Sequence, residues 1–173
     1  MHNPGHPPPQ PPEDAGDHLA IFDGEAHAPY VWGTYTADGS VDFEVVDAGG
    51  ERGPVAEIVY NTDDGIGFFQ SPSTYDLSDY TYVEFDLRIQ REPQDAFAAS
   101  LVFRADCVWP CTSGDYPLSY PETGAWTRYQ VPMLELANRG LDATRVDTPF
   151  VISPASGNQR GVVLQLDNVA LTR

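Results

Sequence analysis

The sequence predicts an all-β protein folded as a sandwich with one short helix, and three observations carry that expectation. Beyond Leu19 the chain breaks into about ten short runs rich in β-branched and aromatic residues. Clusters of Gly, Pro, Asp and Ser separate them, and in the clearest runs apolar and polar residues alternate with the period of two that a half-buried strand needs. With 173 residues, 41% of them hydrophobic and 12% aromatic, the chain can fill one core of ordinary domain size.

Taken in order, residues 1–18 open with MHNPGHPPPQPPEDAGD, proline-rich and nearly without apolar side chains. They have little to bury and are expected to form an extended or disordered linker, which leaves 19–173 as the folded domain. Strands are then expected at 19–24, 30–36, 41–47, 55–61, 66–70, 81–89, 97–105, 127–133, 150–154 and 161–173, and MLELANRG reads as a short helix stopped by Gly140. In the sixth run Val83, Phe85, Leu87 and Ile89 fall on one face, and Tyr82, Glu84, Asp86 and Arg88 on the other. In the seventh, Leu101 and Phe103 point inward while Val102, Arg104 and Asp106 point outward. Read as neighbouring strands, the two runs are expected to present one polar face of mixed charge.

Composition excludes several classes of partner. Twenty-six acidic residues face nine basic ones, all arginine, for a formal net charge of −17. Nucleic acid and anionic membrane surfaces both require a basic footprint that this chain lacks. No apolar run is long enough to cross a bilayer as a helix, and the N-terminus does not have the profile of a signal peptide, so any export signal would lie outside this sequence. A monomer is expected.

Cys107 and Cys111 are the only cysteines and enclose Val-Trp-Pro. Zinc would need two more ligands, and the four histidines lie far upstream without ligand spacing; Pro110 argues against the helix that follows a redox pair. A disulfide closing a turn fits best and points to an oxidising compartment. Its expected task is to fix the shape of what it encloses.

Two carboxylate groupings merit comment. Glu84 and Asp86 share a strand face in the manner of a jelly-roll glycosidase, but Arg88 stands where a further carboxyl would be, and arginine cannot serve as a proton donor at working pH. Asp23, Glu25 and Asp167, with Asp47 as a weaker fourth, could share one structural calcium if the first and last strands adjoin, since calcium takes carboxylate and carbonyl oxygens. No Gly-x-Ser-x-Gly elbow and no phosphate-cradling glycine loop occurs.

The aromatics are the informative set, because proteins hold sugars by stacking exposed rings on the apolar face and aiming polar groups at the hydroxyls. Trp109 sits in a stapled turn where burial is difficult, with Tyr116 and Tyr120 in the polar loop that follows. These three are expected to form a platform, or else to pack over the sandwich edge. Asp86, Arg88, Arg104 and Asp106 are expected to converge on it as hydrogen-bonding partners, with Gln165 on the last strand as a further candidate. Trp126 is expected in the core, while Trp32 is open to either reading.

CVWPC, followed by GAWTRYQVPMLELANRGLDATRVDTPFVIS and VVLQLDNVAL, resembles the C-terminal domain of ExoP-type β-glucan exohydrolases, a galactose-binding-like β-jelly roll. The resemblance is clearest from about Tyr82 to Leu171. It implies a non-catalytic carbohydrate-binding module that anchors a covalently linked glycoside hydrolase to polysaccharide, with a β-glucan such as laminarin as ligand. The acidic composition adds a marine galactan such as agarose. The LDNV ending and early FDGE are similar to those of calcium-containing carbohydrate-binding jelly rolls, and a secreted, periplasmic or cell-surface location follows. The rival readings are a small jelly-roll glycosidase and a structural sandwich that braces a catalytic domain.

Overall fold

Alternation along each strand decides which side chains meet, and the aromatic ones meet in the middle. In the computed structural model, which describes residues 17–35, 39–95, 99–154 and 157–173, eleven strands form two antiparallel sheets that bury one continuous core. The first sheet contains β1 (His18–Phe22), β3 (Val41–Asp47), β4 (Pro54–Tyr60), β6 (Tyr82–Arg91), β9 (Thr127–Pro132) and β11 (Val163–Thr172), in the order β3-β4-β11-β6-β9, with β1 also paired to β11. The second runs β2-β5-β10-β7-β8, from β2 (Val31–Thr34), β5 (Gly67–Gln70), β7 (Leu101–Asp106), β8 (Tyr116–Pro117) and β10 (Thr148–Pro154). The expected linker falls on residues outside those described, apart from Asp17 and His18; His18 opens β1.

The inward faces are those the alternation predicts. Val83, Phe85, Leu87 and Ile89 of β6 are wholly buried, as is Phe103 of β7, and Leu101 nearly so. Phe85 lies parallel to Phe103, with ring centroids 5.9 Å apart, and edge-on to Phe150 of β10 at 5.0 Å. On its own sheet it stacks on Tyr129 of β9 at 5.3 Å. Offset and edge-on pairs of this kind add to the area they bury.

This face-to-face meeting corrects one expectation. β6 and β7 are not neighbours in a sheet; they lie in opposite sheets with their apolar faces turned toward each other, so their polar faces point in opposite directions. Period-two alternation fixes which face is buried, and it is silent on whether two successive strands bury it side by side or across the core.

The helix α1 (Met133–Asn138) follows Pro132, buries Met133 and Leu136, and stops where Gly140 takes a positive φ of 129°. β11 is the central strand of the first sheet. β4 pairs its early half (163–166) and β1 its late half (169–172), while β6 runs along the other edge. Its register shifts between Asp167 and Ala170, and Asn168 there takes φ 51°, a left-handed conformation that Asn tolerates better than most residues.

Phe85→Ala removes the ring that joins the two sheets. It is expected to lower unfolding stability by about 3–5 kcal/mol, measured by urea denaturation. A loss below about 1 kcal/mol would mean that the inter-sheet ring contacts do not carry the core.

Candidate functional site

The sequence-predicted binding residues divide between the two outer faces of the sandwich. Asp86, Arg88, Gln165 and Asp167 stand on the first sheet; Arg104, Asp106 and the Trp109 turn stand on the second. The expected convergence does not occur.

On the first face the polar side chains bond chiefly to one another. Arg52 places Nη1 3.0 Å from Asp86 Oδ2 and 3.2 Å from Asp167 Oδ2, and Asn168 Nδ2 donates to the same Asp86 oxygen at 3.0 Å. Arg128 pairs with Asp86 Oδ1 and with Glu84, which also accepts from Gln130. Arg88 donates twice to Gln165 Oε1, and Gln165 Nε2 donates to Glu57. Trp126 is half-buried among these groups rather than in the core, with the Arg52 guanidinium 4.0 Å and the Arg88 guanidinium 4.9 Å from its ring centroid. Cation–π contact gives this tryptophan a place on the surface that its apolar character alone does not disclose.

One end of this face opens into a cleft lined by Asp23, Glu25, Glu51, Arg52, Asp167 and Asn168, so the first and last strands do bring Asp23, Glu25 and Asp167 to one place. Asp47 is not part of that lining; its carboxylate accepts from the Gly49 amide. Within the cleft, Asp167 is met by Arg52 and by the Asn168 amide, and Asp23 by His27 Nε2 at 2.5 Å. Among the described residues no three His, Cys, Asp or Glu side chains stand close enough together to hold a metal. In this arrangement the charge of Asp167 is met by the Arg52 guanidinium.

The second face is built differently. Its floor is apolar at Phe68 and Val151, side by side on β5 and β10, and at Val102 on β7, while Arg104 stands beside Val151 on β7. Gly33, opposite Phe68 on β2, leaves room for the ring, since a Cβ there would come within 2.8 Å of it. Tyr35 lies over Phe68, with ring centroids 4.2 Å apart. Trp109 is 59% exposed and Tyr35 44%; their centroids are 6.5 Å apart, and the Arg104 guanidinium lies 5.0 Å and 5.6 Å from the two rings. Together with Ile66 these residues line an open groove of about 350 Å³.

Asp106 organises this group from beneath. It is 1% exposed and accepts from Arg104 Nε at 3.0 Å, Arg104 Nη2 at 3.2 Å, Tyr35 Oη at 2.8 Å and Thr112 Oγ1 at 2.6 Å. Four bonds use the acceptor capacity of a carboxylate, so Asp106 positions the groove rather than contacting what lies in it. Burial and the Asp106 bond push the Tyr35 hydroxyl up to about 12.

Cys107 and Cys111 form the expected disulfide. Cys107 N–H donates to Cys111 O and Cys111 N–H to Val108 O, both at 2.9 Å, and Val108 N–H reaches Asp147 Oδ1 at 3.1 Å. The closed turn holds Val108 at φ 74°, an outlier for a β-branched residue. Such strain persists only where surrounding contacts over-determine it. Here it accompanies an exposed tryptophan.

Tyr116 and Tyr120 do not join Trp109. Tyr116 pairs with Phe103 across β8 and β7 and so turns inward; its hydroxyl bonds Glu135 and Arg139 lies over its ring. Both tyrosines pack against the edge of the core. The companion of Trp109 is Tyr35, which the sequence reading did not single out. Its signal was present in VWGTY, where a ring turned inward at Trp32 places Gly33 and Tyr35 on the outer face.

Residues 18–171 match the family model described as Galactose-binding domain-like, Exop_C. No curated protein sequence matches the chain. Among solved structures, the chain is similar to the family 11 carbohydrate-binding module from Clostridium thermocellum in complex with a β-1,3-1,4-mixed-linked tetrasaccharide, at 18% identity and TM-score 0.61, covering 92% of this chain and 97% of that one. It is similar to the family 30 carbohydrate-binding module of the cellulosomal cellulase Cel9D-Cel44B of the same organism, at 19% identity and TM-score 0.62, over 90% and 96%. It also resembles part of a β-1,2-glucanase from Parabacteroides distasonis, at 11% identity and TM-score 0.55, over 88% of this chain and 24% of the enzyme.

Two expectations follow from the geometry. Melting is expected to be the same in calcium and in EGTA, whereas Arg52→Ala lowers stability by about 1–2 kcal/mol, roughly 2–8 °C for a domain of this size. A lower melting temperature on chelation would restore the ion at Asp23, Glu25 and Asp167. Tyr35 keeps its proton where an ordinary tyrosine has lost it. The ultraviolet difference between the wild type and Tyr35→Phe should therefore show only a small fraction of phenolate at pH 11, where an ordinary tyrosine is mostly ionised, and Asp106→Asn should let it appear earlier by removing the charged acceptor.

Proposed function

The chain belongs to the Exop_C family of galactose-binding-like domains, and from that premise we propose that it is a non-catalytic carbohydrate-binding module whose sugar site is the groove of Trp109, Tyr35 and Arg104. The observation that carries this reading is the pair of exposed rings set about one guanidinium above an apolar floor. A pyranose has an apolar face for the rings and equatorial hydroxyls for the guanidinium, and water leaves both on binding. The groove is formed before the ligand arrives. Trp109 sits on a cross-linked turn and Arg104 and Tyr35 are tied to Asp106, so little ordering is left to offset binding.

The ligand class we infer is a β-glucan, laminarin-like, with an agarose-type galactan as the second choice; the mixed-linked tetrasaccharide bound by the family 11 module is support of the same kind. The module would serve a covalently attached glycoside hydrolase, raising the concentration of enzyme at the polysaccharide through the linker. The disulfide supports an oxidising, extracytoplasmic location. Intrinsic glycosidase action finds no support on the first face, where Glu84 and Asp86 are both tied to Arg128.

Affinity electrophoresis against laminarin, mixed-linkage glucan, agarose and alginate tests the reading. A neutral glycan is expected to retard the wild type. Trp109→Ala is expected to weaken that binding tenfold or more, about 1.4 kcal/mol, with an almost unchanged melting temperature because the ring is mostly exposed. Full retardation of Trp109→Ala would place the site elsewhere, and no retardation of the wild type by any of the four would favour a structural brace.

A further inference from the structure

The groove does not end at the aromatic pair. A second cavity of about 270 Å³ adjoins it, sharing Ile66 and Arg104, and continues past Val102 and Val151 to Ser153 and Gln159, with the carboxylates of Asp64 and Asp115 on its lining. Its floor is the same outer face: Val102 follows Arg104 along β7, and Val151 and Ser153 are the outward residues of β10 beside them.

Gln159 marks this cavity as more than a surface hollow. The residue is 2% exposed, its Nε2 donates to Gly65 O at 3.3 Å, and its Oε1 has no hydrogen-bond partner among the described residues. A buried acceptor without a donor is uncommon in a folded protein and calls for one. The surroundings define what the donor brings with it. Asp64 and Asp115 repel an anionic group, and Arg104, the one cation among the described lining residues, already has its charge met by Asp106. Hydroxyl groups, by contrast, donate to carboxylates in charge-assisted bonds, and the two valines suit the C–H face of a sugar ring.

Resting on the carbohydrate reading above, we propose that the two cavities are successive subsites of one groove that takes an uncharged glycan chain. The Trp109 and Tyr35 end stacks one sugar. The Asp115, Ser153 and Gln159 end receives the hydroxyls of a neighbouring sugar. The ligand is therefore recognised as a chain, and uronate or sulfated polysaccharides are rejected by the acidic end.

Calorimetric titration of the full chain with β-1,3-glucan oligosaccharides of two to six residues, and with alginate oligosaccharides of equal length, tests this. Affinity is expected to rise with glucan length in the wild type. Asp115→Ala, Ser153→Ala and Gln159→Leu should each reduce the affinity for the longest glucan roughly fivefold to twentyfold and leave that for the shortest unchanged; alginate should bind at no length. Asp115 is exposed, so its variant tests the subsite even if Gln159→Leu folds poorly. An affinity independent of length, losses equal at every length, or alginate bound as tightly as glucan would each overturn the proposal. Trp109→Ala serves as the separate control: unchanged binding there removes the aromatic site, whereas lost binding at all lengths combined with unaffected Asp115→Ala and Ser153→Ala removes the second subsite alone.

Discussion

Ring against ring between the two sheets is the contact on which the rest depends. Phe85 and Tyr129 on one sheet meet Phe103 and Phe150 on the other, and the series continues through Phe69 and Phe22 toward the edge where Trp32 stacks on Phe43. Because strand side chains alternate, each ring that turns inward dictates what its neighbours do. With Phe103 in the core, Val102 and Arg104 must stand outside, and with Phe69 in the core Phe68 must form part of an outer floor. The groove is thus a by-product of the core's parity. Gly67 belongs to the same arrangement: a Cβ on it would lie 2.0 Å from the Trp32 ring, which needs that space to turn inward and leave Tyr35 outward.

Much of the fold was legible in the sequence because burial in a sandwich is a local, periodic property. Ten of the eleven strands, the short helix and the inward residues of β6 and β7 follow from it, whereas the two-residue β8 is too short to show a period; the two cysteines four positions apart are the chain's only pair. The site was less legible because it depends on which sheet a strand joins. Asp86 and Arg104 both face outward as expected, yet the sandwich lies between them. The same limit applies to Trp126, whose surface place is set by Arg52 and Arg88 from other parts of the chain, and to Tyr35, whose partner Asp106 lies 71 residues away. Nothing local in the TYT and AWT segments around Tyr35 and Trp126 encodes such pairings; only the assembled sheets do.

The two outer faces carry similar residue types and have different capacities. On the first, carboxylate, guanidinium and amide close upon one another through Arg52, Arg128 and Arg88, and the tryptophan is covered by arginine. Groups so engaged have little left to offer a ligand, since each new bond would displace an existing one. On the second, a single carboxylate is sacrificed beneath the surface to hold an arginine and a tyrosine, and both rings stay in water.

That division is one the polar pattern alone does not show. Recognition requires rigid groups whose bonding capacity is incomplete, whereas a stable surface requires groups whose capacity is filled. Asp106 marks the boundary between these conditions: buried and fully bonded, it fixes neighbours that remain open. The strained Val108 turn acts in the same sense on Trp109, holding an exposed ring by backbone and disulfide contacts rather than by packing over its faces. A binding surface built this way owes its rigidity to what lies underneath it, which leaves the exposed layer free for the ligand.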